Sequence, residues 1–385
     1  MTTPAAAPAA ADLVAEAAAR AGYGGDLPFT DNLERLLASS GRTARLSATG
    51  ADVLRRVALR HLRNLCAVLA YVDAHPGTPA RPLGRPVVVT GLPRTGTTLL
   101  HNLLALDPAH RALRFWEALH PVPPEAGGPP VEERVARAEA WLEAFYRMAP
   151  GFRAIHPATA TGPEECDALL QNAFASQHFD DMFDAGDYSA WYATAPLEGE
   201  YAFYALQLRA LSASSPPGAT WALKSPSHLG HLDALLGALP GATVVVCHRH
   251  PYEAVASYAS LIATLRAPYA EEVVPAVVGR QALARAATAM ERALAVRDRS
   301  PSAFVDVAYR RLAADPLGAV ADVYRGMGRA PGPGAEARME AWAADNPRHK
   351  HGAHRYDLAR FGLDEAAVDE AFATYLDRFG ALVGA

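Results

Sequence analysis

Residues 87–98 read VVVTGLPRTGTT, a β-branched run that breaks into a glycine-bounded loop and then into two threonines at the head of a helical stretch. No other segment restricts the fold so tightly. Glycines let the backbone turn sharply, and successive N–H groups of such a loop and of the first helical turn point at one anion. Gly91 and Gly96 stand at the spacing of a Walker A loop, but Thr97-Thr98 occupies the place where an ATP-binding loop carries Lys followed by Ser or Thr. The first cation of the loop is instead Arg94. Residues 99–106 (LLHNLLAL) predict an amphipathic helix, which Asp107-Pro108 ends. Strand, loop and helix therefore come in the order an anion cradle requires, which favours that reading over the alternative of a plain tight turn.

With 385 residues, 50% of them hydrophobic, the chain can bury a large core, and one α/β domain with an added helical region fits as well as two domains. A net charge of −5 excludes a nucleic-acid binder that works through a general basic field. Cys66, Cys166 and Cys247 are too few and too far apart for a disulfide framework or a metal knuckle, so a reducing cytoplasm is the expected setting. MTTPAAAPAAAD has neither a basic start nor a Leu/Val-rich stretch, and no apolar run approaches ~18 residues; secretion and membrane spanning are not expected.

Residues 1–11 read as an Ala/Pro tail, followed by helical patterns at 12–22, 31–38 and 51–73, so that 1–80 forms a tail and helical N-terminal region and 81–385 an α/β domain. PVPPEAGGPP (121–130) is a surface loop and 131–148 a helix. Three further short apolar runs predict strands: Thr220–Leu223 ending at Lys224, Ala242–Cys247 ending at His248-Arg249, and Phe304–Ala308 ending at Tyr309. Helical stretches alternate with them, the pattern of a P-loop-type parallel sheet flanked by helices. Ligands of such sheets bind beyond the carboxyl ends of the strands, where Arg94, Lys224, Arg249 and Tyr309 would converge.

Lys224 and Lys350 are the only lysines beside 34 arginines. A compact ammonium differs from a planar guanidinium in geometry and proton affinity, so each lysine is a candidate for a place where Arg would not serve, two lysines left by chance being the alternative. Pro251 suits a first helical turn. Ser257 lies two turns further on, within reach of a phosphate that Arg249 also reaches; a surface ion pair and a tolerated helix serine are the alternatives.

Together these residues resemble the sulfotransferases that use 3′-phosphoadenosine 5′-phosphosulfate (PAPS) and release the bisphosphate PAP. GLPRTGTTLLHNLLALDP is similar to the family's 5′-phosphosulfate loop, and VVVCHRHPYEAVASYASL to its 3′-phosphate segment. LKSPSHLGHLDALLGALPGA and AYRRLAADP resemble the bacterial branch related to tyrosylprotein sulfotransferases. The resemblance implies that the backbone of Arg94, Thr95, Gly96, Thr97 and Thr98, with both threonine hydroxyls, holds the phosphosulfate. It further implies that Arg249 and Ser257 hold the 3′-phosphate, with Tyr309 close to the nucleotide. Lys350 and Gly352, in NPRHKHGAHRY, match loosely the Lys/Arg-Gly segment that covers the 3′-phosphate in relatives; Arg348, Arg355 or a merely solvated basic loop are the alternatives.

Sulfuryl transfer to a hydroxyl or amine of a small molecule places negative charge on the leaving phosphate, so a cation there favours the transition state over the ground state. Lys224 suits that role and Arg94 is the second cation; no metal is demanded. For the base that takes the acceptor's proton, Glu117 in RFWEALHP matches the glutamate of the tyrosylprotein branch. His228 is the competitor, offset because cytosolic members place their histidine two residues after the lysine, where this chain has Pro226. His120 and Glu165 are further candidates. Glu164-Glu165 and HFDDMFDAGDYSAWY (178–192) are read either as acceptor-pocket lining or as a solvated face. The histidine pairs lack any metal-ligand motif. An ATP- and Mg²⁺-dependent phosphotransferase and a non-catalytic nucleotide-binding protein are the rival functions. Oligomeric state is not legible.

Overall fold

In the computed structural model, which describes residues 9–43, 45–124, 129–155, 157–346 and 357–384, the valine run becomes the central strand of a five-stranded parallel sheet. Lys350, Gly352, Arg348 and Arg355 lie outside the described residues. The strands are β1 (Val87–Gly91), β2 (His110–Ala112), β3 (Thr220–Lys224), β4 (Thr243–His248) and β5 (Phe304–Ala308), in spatial order β2-β3-β1-β4-β5. Every residue of β1 is buried, as a strand covered on both faces must be. In register, Val87 stands beside Ala222 and Thr243, and Val89 beside Lys224 and Val245.

The two-residue side-chain period of the strands divides the core in two. Val87, Val89, Ala222, Val245 and Val307 face one cluster, packed under α4 (Thr97–Leu104) and the helix Pro316–Gly326. Val88, Leu223, Val244 and Val246 face the other and larger cluster. That second cluster also takes in Leu13 of α1 (Ala10–Ala21), Leu33 of α2 (Thr30–Arg42) and Leu62 of α3 (Ala48–Ala74), so the N-terminal helices and the sheet bury one continuous core.

The expected helices are present with altered ends. α4 starts at Thr97 instead of 99, which brings both threonines into the first turn. α3 starts at Ala48 because the Ser47 side chain accepts from the Gly50 N–H at 3.1 Å, a cap the apolar pattern alone does not reveal. The helix expected at 131–148 is α6 (Val131–Met148). β2 was not expected. His-Arg-Ala carries no strand pattern and becomes an edge strand only through pairing with Thr220–Ala222 of β3.

Candidate active site

Between β1 and α4 the loop makes a tight turn around its glycines. Gly91 takes φ 145° and Gly96 φ 90°. A Cβ on Gly91 would sit 2.5 Å from the Cys247 carbonyl oxygen, and one on Gly96 3.0 Å from the Tyr309 ring. Arg94 also adopts a left-handed conformation, φ 71°, at a cost of about 1–3 kcal/mol for a residue with a side chain. Its neighbours hold it there: Arg249 Nη1 donates to the Arg94 carbonyl at 2.9 Å, and Arg94 Nε donates to Ser257 Oγ at 3.1 Å. Thr95 Oγ1 donates to the Leu92 carbonyl at 2.7 Å and closes the turn. The backbone N–H groups of Thr95, Gly96, Thr97 and Thr98 meet no acceptor among the described residues. A row of donors at the head of a helix fits the oxygens of a phosphate or sulfate group.

The chain ends of the parallel strands meet at this loop. Lys224, the last residue of β3 and only 2% exposed, extends Nζ to Thr98 Oγ1 at 3.3 Å and pairs with Glu165. Glu165 is brought there by its backbone. The Glu164 N–H donates to the Leu113 carbonyl at 2.7 Å, and the Cys166 N–H to the Lys224 carbonyl at 2.9 Å, so the segment is stitched along the edge of β3. From β4, Arg249 lays its guanidinium 4.4 Å from the centre of the Tyr309 ring, where the chain leaves β5, and it pairs with Glu253 at 2.5 Å. Arg249 therefore touches both Arg94 and Tyr309, while Lys224 joins the same loop through Thr98.

The loop forms one end of a cavity of about 880 Å³. Arg94, Gly96, Thr97, Thr98, Arg249 and Tyr309 line it, as do Glu164 and Glu165. Thr95, Lys224 and Ser257 stand behind that wall and reach it through their bonds to the residues that do. The remainder is largely apolar and aromatic: Trp141, Phe145 and Tyr146 of α6, Tyr258 and Leu261 of the helix Pro251–Arg266, and Val53 of α3. Among the described residues no group of His, Cys, Asp and Glu is arranged to hold a metal ion, and no helix is long and apolar enough to cross a membrane.

Both bases favoured from sequence stand outside the cavity wall. Glu117, in α5 (Phe115–Leu119), is 4% exposed; one oxygen accepts from Arg111 Nη2 at 2.6 Å and the other from the Arg114 N–H at 3.0 Å. Arg111 in turn stacks 4.1 Å from the Trp221 ring centre, so Glu117 fastens a helix end to the edge of the sheet. Glu117→Gln is expected to lower stability by about 2 kcal/mol, read by denaturant unfolding, because a charge-assisted bond in a dry site is weakened. His228 is enclosed by Tyr201 and Tyr204, with Nδ1 2.9 Å from the Tyr201 hydroxyl, and burial pushes its pKa down to about 3. A base that weak captures little of the benefit of general base catalysis. His120 also lies off the wall, its pKa lowered by burial and by Arg134 and Arg137.

Residues 86–330 match the model of the sulfotransferase family. This chain belongs to that family. No curated relative matches it. Among solved structures it is similar to sulfotransferase STF1 from Mycobacterium tuberculosis H37Rv, at 30% identity with 96% of this chain and 99% of that one covered and a TM-score of 0.84. It is also similar to sulfotransferase STF9 from Mycobacterium avium, at 26% identity, 98% coverage of each chain and the same TM-score. Both resemblances extend over the N-terminal helices that precede the family match.

In this sulfotransferase the acidic pair Glu164-Glu165 is the site feature whose role the sequence left open. Burial and the neighbouring Glu165 carboxylate push Glu164 up to about 7. A carboxyl that holds its proton more tightly folded than unfolded makes the fold lose stability as pH climbs from the ordinary glutamate value of 4.5 to about 7. Thermal unfolding of the wild type should show that decline, and Glu164→Gln should flatten it over the same interval.

Proposed function

We propose that this sulfotransferase moves the sulfuryl group of PAPS to a hydroxyl of a small-molecule acceptor with an apolar body, with Glu165 in place of Glu117 or His228 as the base. The observation that carries this reading is Lys224 from β3 meeting Thr98 in the first turn of α4. A lysine from another strand would stand in for the one that the Gly91–Thr98 loop does not carry beside Arg94. In the transfer, the S–O bond to the donor's 5′-phosphate breaks as a bond forms between sulfur and the acceptor oxygen, and the acceptor's proton is released. Lys224 and Arg94 would offset the charge that gathers on the leaving phosphate, and the N–H groups of Thr95 to Thr98 would fix its oxygens. Arg249, Ser257 and Tyr309 would hold the 3′-phosphate and the nucleoside beside it.

Glu165 is suited to take the proton because it lines the cavity while touching Lys224. As Lys224 turns toward the phosphate, Glu165 is left to accept from the acceptor hydroxyl. Glu164, pushed up to about 7 by burial and by the Glu165 carboxylate, lies beside it on the cavity wall. An amine acceptor would use the same groups. The setting that suits this chemistry is the cytoplasm.

Calorimetry with adenosine 3′,5′-bisphosphate and with ATP, each with and without Mg²⁺, tests the donor. Tight binding of the bisphosphate without metal is expected, and Mg²⁺-dependent ATP binding with no bisphosphate binding would overturn the reading. Arg249→Ala should weaken bisphosphate binding by roughly tenfold or more, the loss of one charge-assisted phosphate contact. Labelled sulfate transfer to phenols, alcohols and amines then tests catalysis itself.

A further inference from the structure

We infer that the acceptor is an elongated hydroxy acid, with its reacting hydroxyl at the Gly-loop end of the cavity and a carboxylate bound at the far end by Arg60 and Arg63. The inference rests on the proposed sulfuryl transfer for the role of the ligand, but not for its charge. α3 lines the cavity with Val53, Arg56, Val57, Arg60 and Arg63, a stripe at helical spacing. Arg56 is paired with Asp52 at 2.7 Å. Arg285, also on the cavity wall, is paired with Asp180 and Asp181. Arg60 and Arg63 have no carboxylate partner among the described residues; the groups that act on Arg60 are the Arg63 guanidinium and the neutral Tyr269 phenol.

Arg60 is held in place as a donor. Its Nη2 lies 3.0 Å from His61 Nε2, and His61 Nδ1 lies 2.8 Å from Asn172 Oδ1. Asn172 donates to Gln207 Oε1 at 2.8 Å, and Gln207 to the Leu169 carbonyl at 3.0 Å. Asn64 also donates to Asn172 Oδ1, at 3.1 Å. The chain of bonds ends on a backbone carbonyl, so its direction is set throughout. His61 donates from Nδ1 and accepts from Arg60 at Nε2, the neutral tautomer, in keeping with a pKa that burial and Arg60 hold well below the usual value. The guanidinium stands 5.5 Å from the Trp141 ring centre. Its Nε and Nη1 make no bond among the described residues, and that edge matches the two oxygens of a carboxylate.

The distance to the loop gives the ligand its length. Ser257, which holds Arg94, begins a stripe along the helix Pro251–Arg266 whose residues Tyr258, Leu261 and Leu265 line the cavity. At 1.5 Å per residue, Ser257 to Leu265 is roughly 12 Å. Tyr269, beside Arg60, comes after the helix ends. The remaining wall is mainly aromatic and aliphatic, interrupted by Gln177, His178 and the Arg285–Asp181 ion pair, which suits a largely apolar body.

The probes are long-chain ω-hydroxy fatty acids, their methyl esters and the corresponding diols. Binding is measured by calorimetry with and without adenosine 3′,5′-bisphosphate, and sulfate transfer with labelled donor. The acid should bind at least about tenfold more tightly than its ester, and Arg60→Gln with Arg63→Gln should bring that ratio close to one. Arg60→Lys keeps the charge without the fork and should lose part of the preference. Arg63→Gln, at an exposed position, reads the effect if the Arg60 variants unfold. Equal binding of acid and ester, or a preference unchanged in the double variant, would overturn the inference. Acid-selective binding without transfer to any probe would leave the charge assignment standing and count instead against sulfuryl transfer.

Discussion

Lys224→Ala is expected to lower kcat by roughly 10²-fold or more, while bisphosphate affinity changes little. Lys224 touches Thr98, in the first turn of the loop helix, from behind the cavity wall. The charge on the leaving oxygen grows as the S–O bond breaks, so a cation placed there stabilises the transition state more than the ground state, and its removal is expected to fall chiefly on the rate. One control separates this from damage to the fold, because Lys224 is buried and paired with Glu165, and alanine removes the pair together with the side-chain bulk. Lys224→Met keeps the bulk; if its unfolding midpoint stays near the wild type and kcat still falls, the loss is catalytic. Unchanged turnover in either variant would remove Lys224 from the mechanism.

Glu165→Gln should lower kcat by roughly 10² to 10⁴, the range for loss of a positioned base. The decisive comparison is with Glu117→Gln and His228→Ala under the same conditions. Glu117 is spent on Arg111 and on the head of α5, and His228 lies against Tyr201 and Tyr204. Those two variants should shift the unfolding midpoint with much smaller effects on kcat. A proton-transfer role also predicts that Glu165→Gln loses the acidic limb of the kcat/KM profile, which a purely positional role would preserve. If Glu117→Gln abolishes turnover in a folded protein while Glu165→Gln does not, the base assignment moves to α5.

The position of Glu117 off the cavity wall, and of Glu165 on it, shows where reading the sequence stops. Glu117 lies close along the chain to the loop helix, and the resemblance to tyrosylprotein sulfotransferases pointed to it. Glu165 is 59 residues from Lys224 in sequence and is carried to it by two backbone hydrogen bonds at the edge of the sheet. No periodicity in Glu164-Glu165-Cys166 announces that pairing. An acidic pair preceding a cysteine and a short helix was the only trace, and it fits a solvated face equally well.

The Gly91–Thr98 loop, the order of strands and helices, and the alignment of Arg94, Lys224, Arg249 and Tyr309 at strand ends were legible because they depend on local rules. Glycine conformations, strand periodicity and helix starts are written within a few residues of one another. The acceptor end was decided by tertiary structure alone. α3 carries no motif, yet it forms one wall of the cavity because its apolar stripe packs into the same core as β1 and β3. What it presents to a ligand, Arg60 on a fixed chain of bonds to His61, Asn172 and Gln207, joins residues up to 147 positions apart. Contacts of that range arise from burial and chain packing, which no short window of sequence contains.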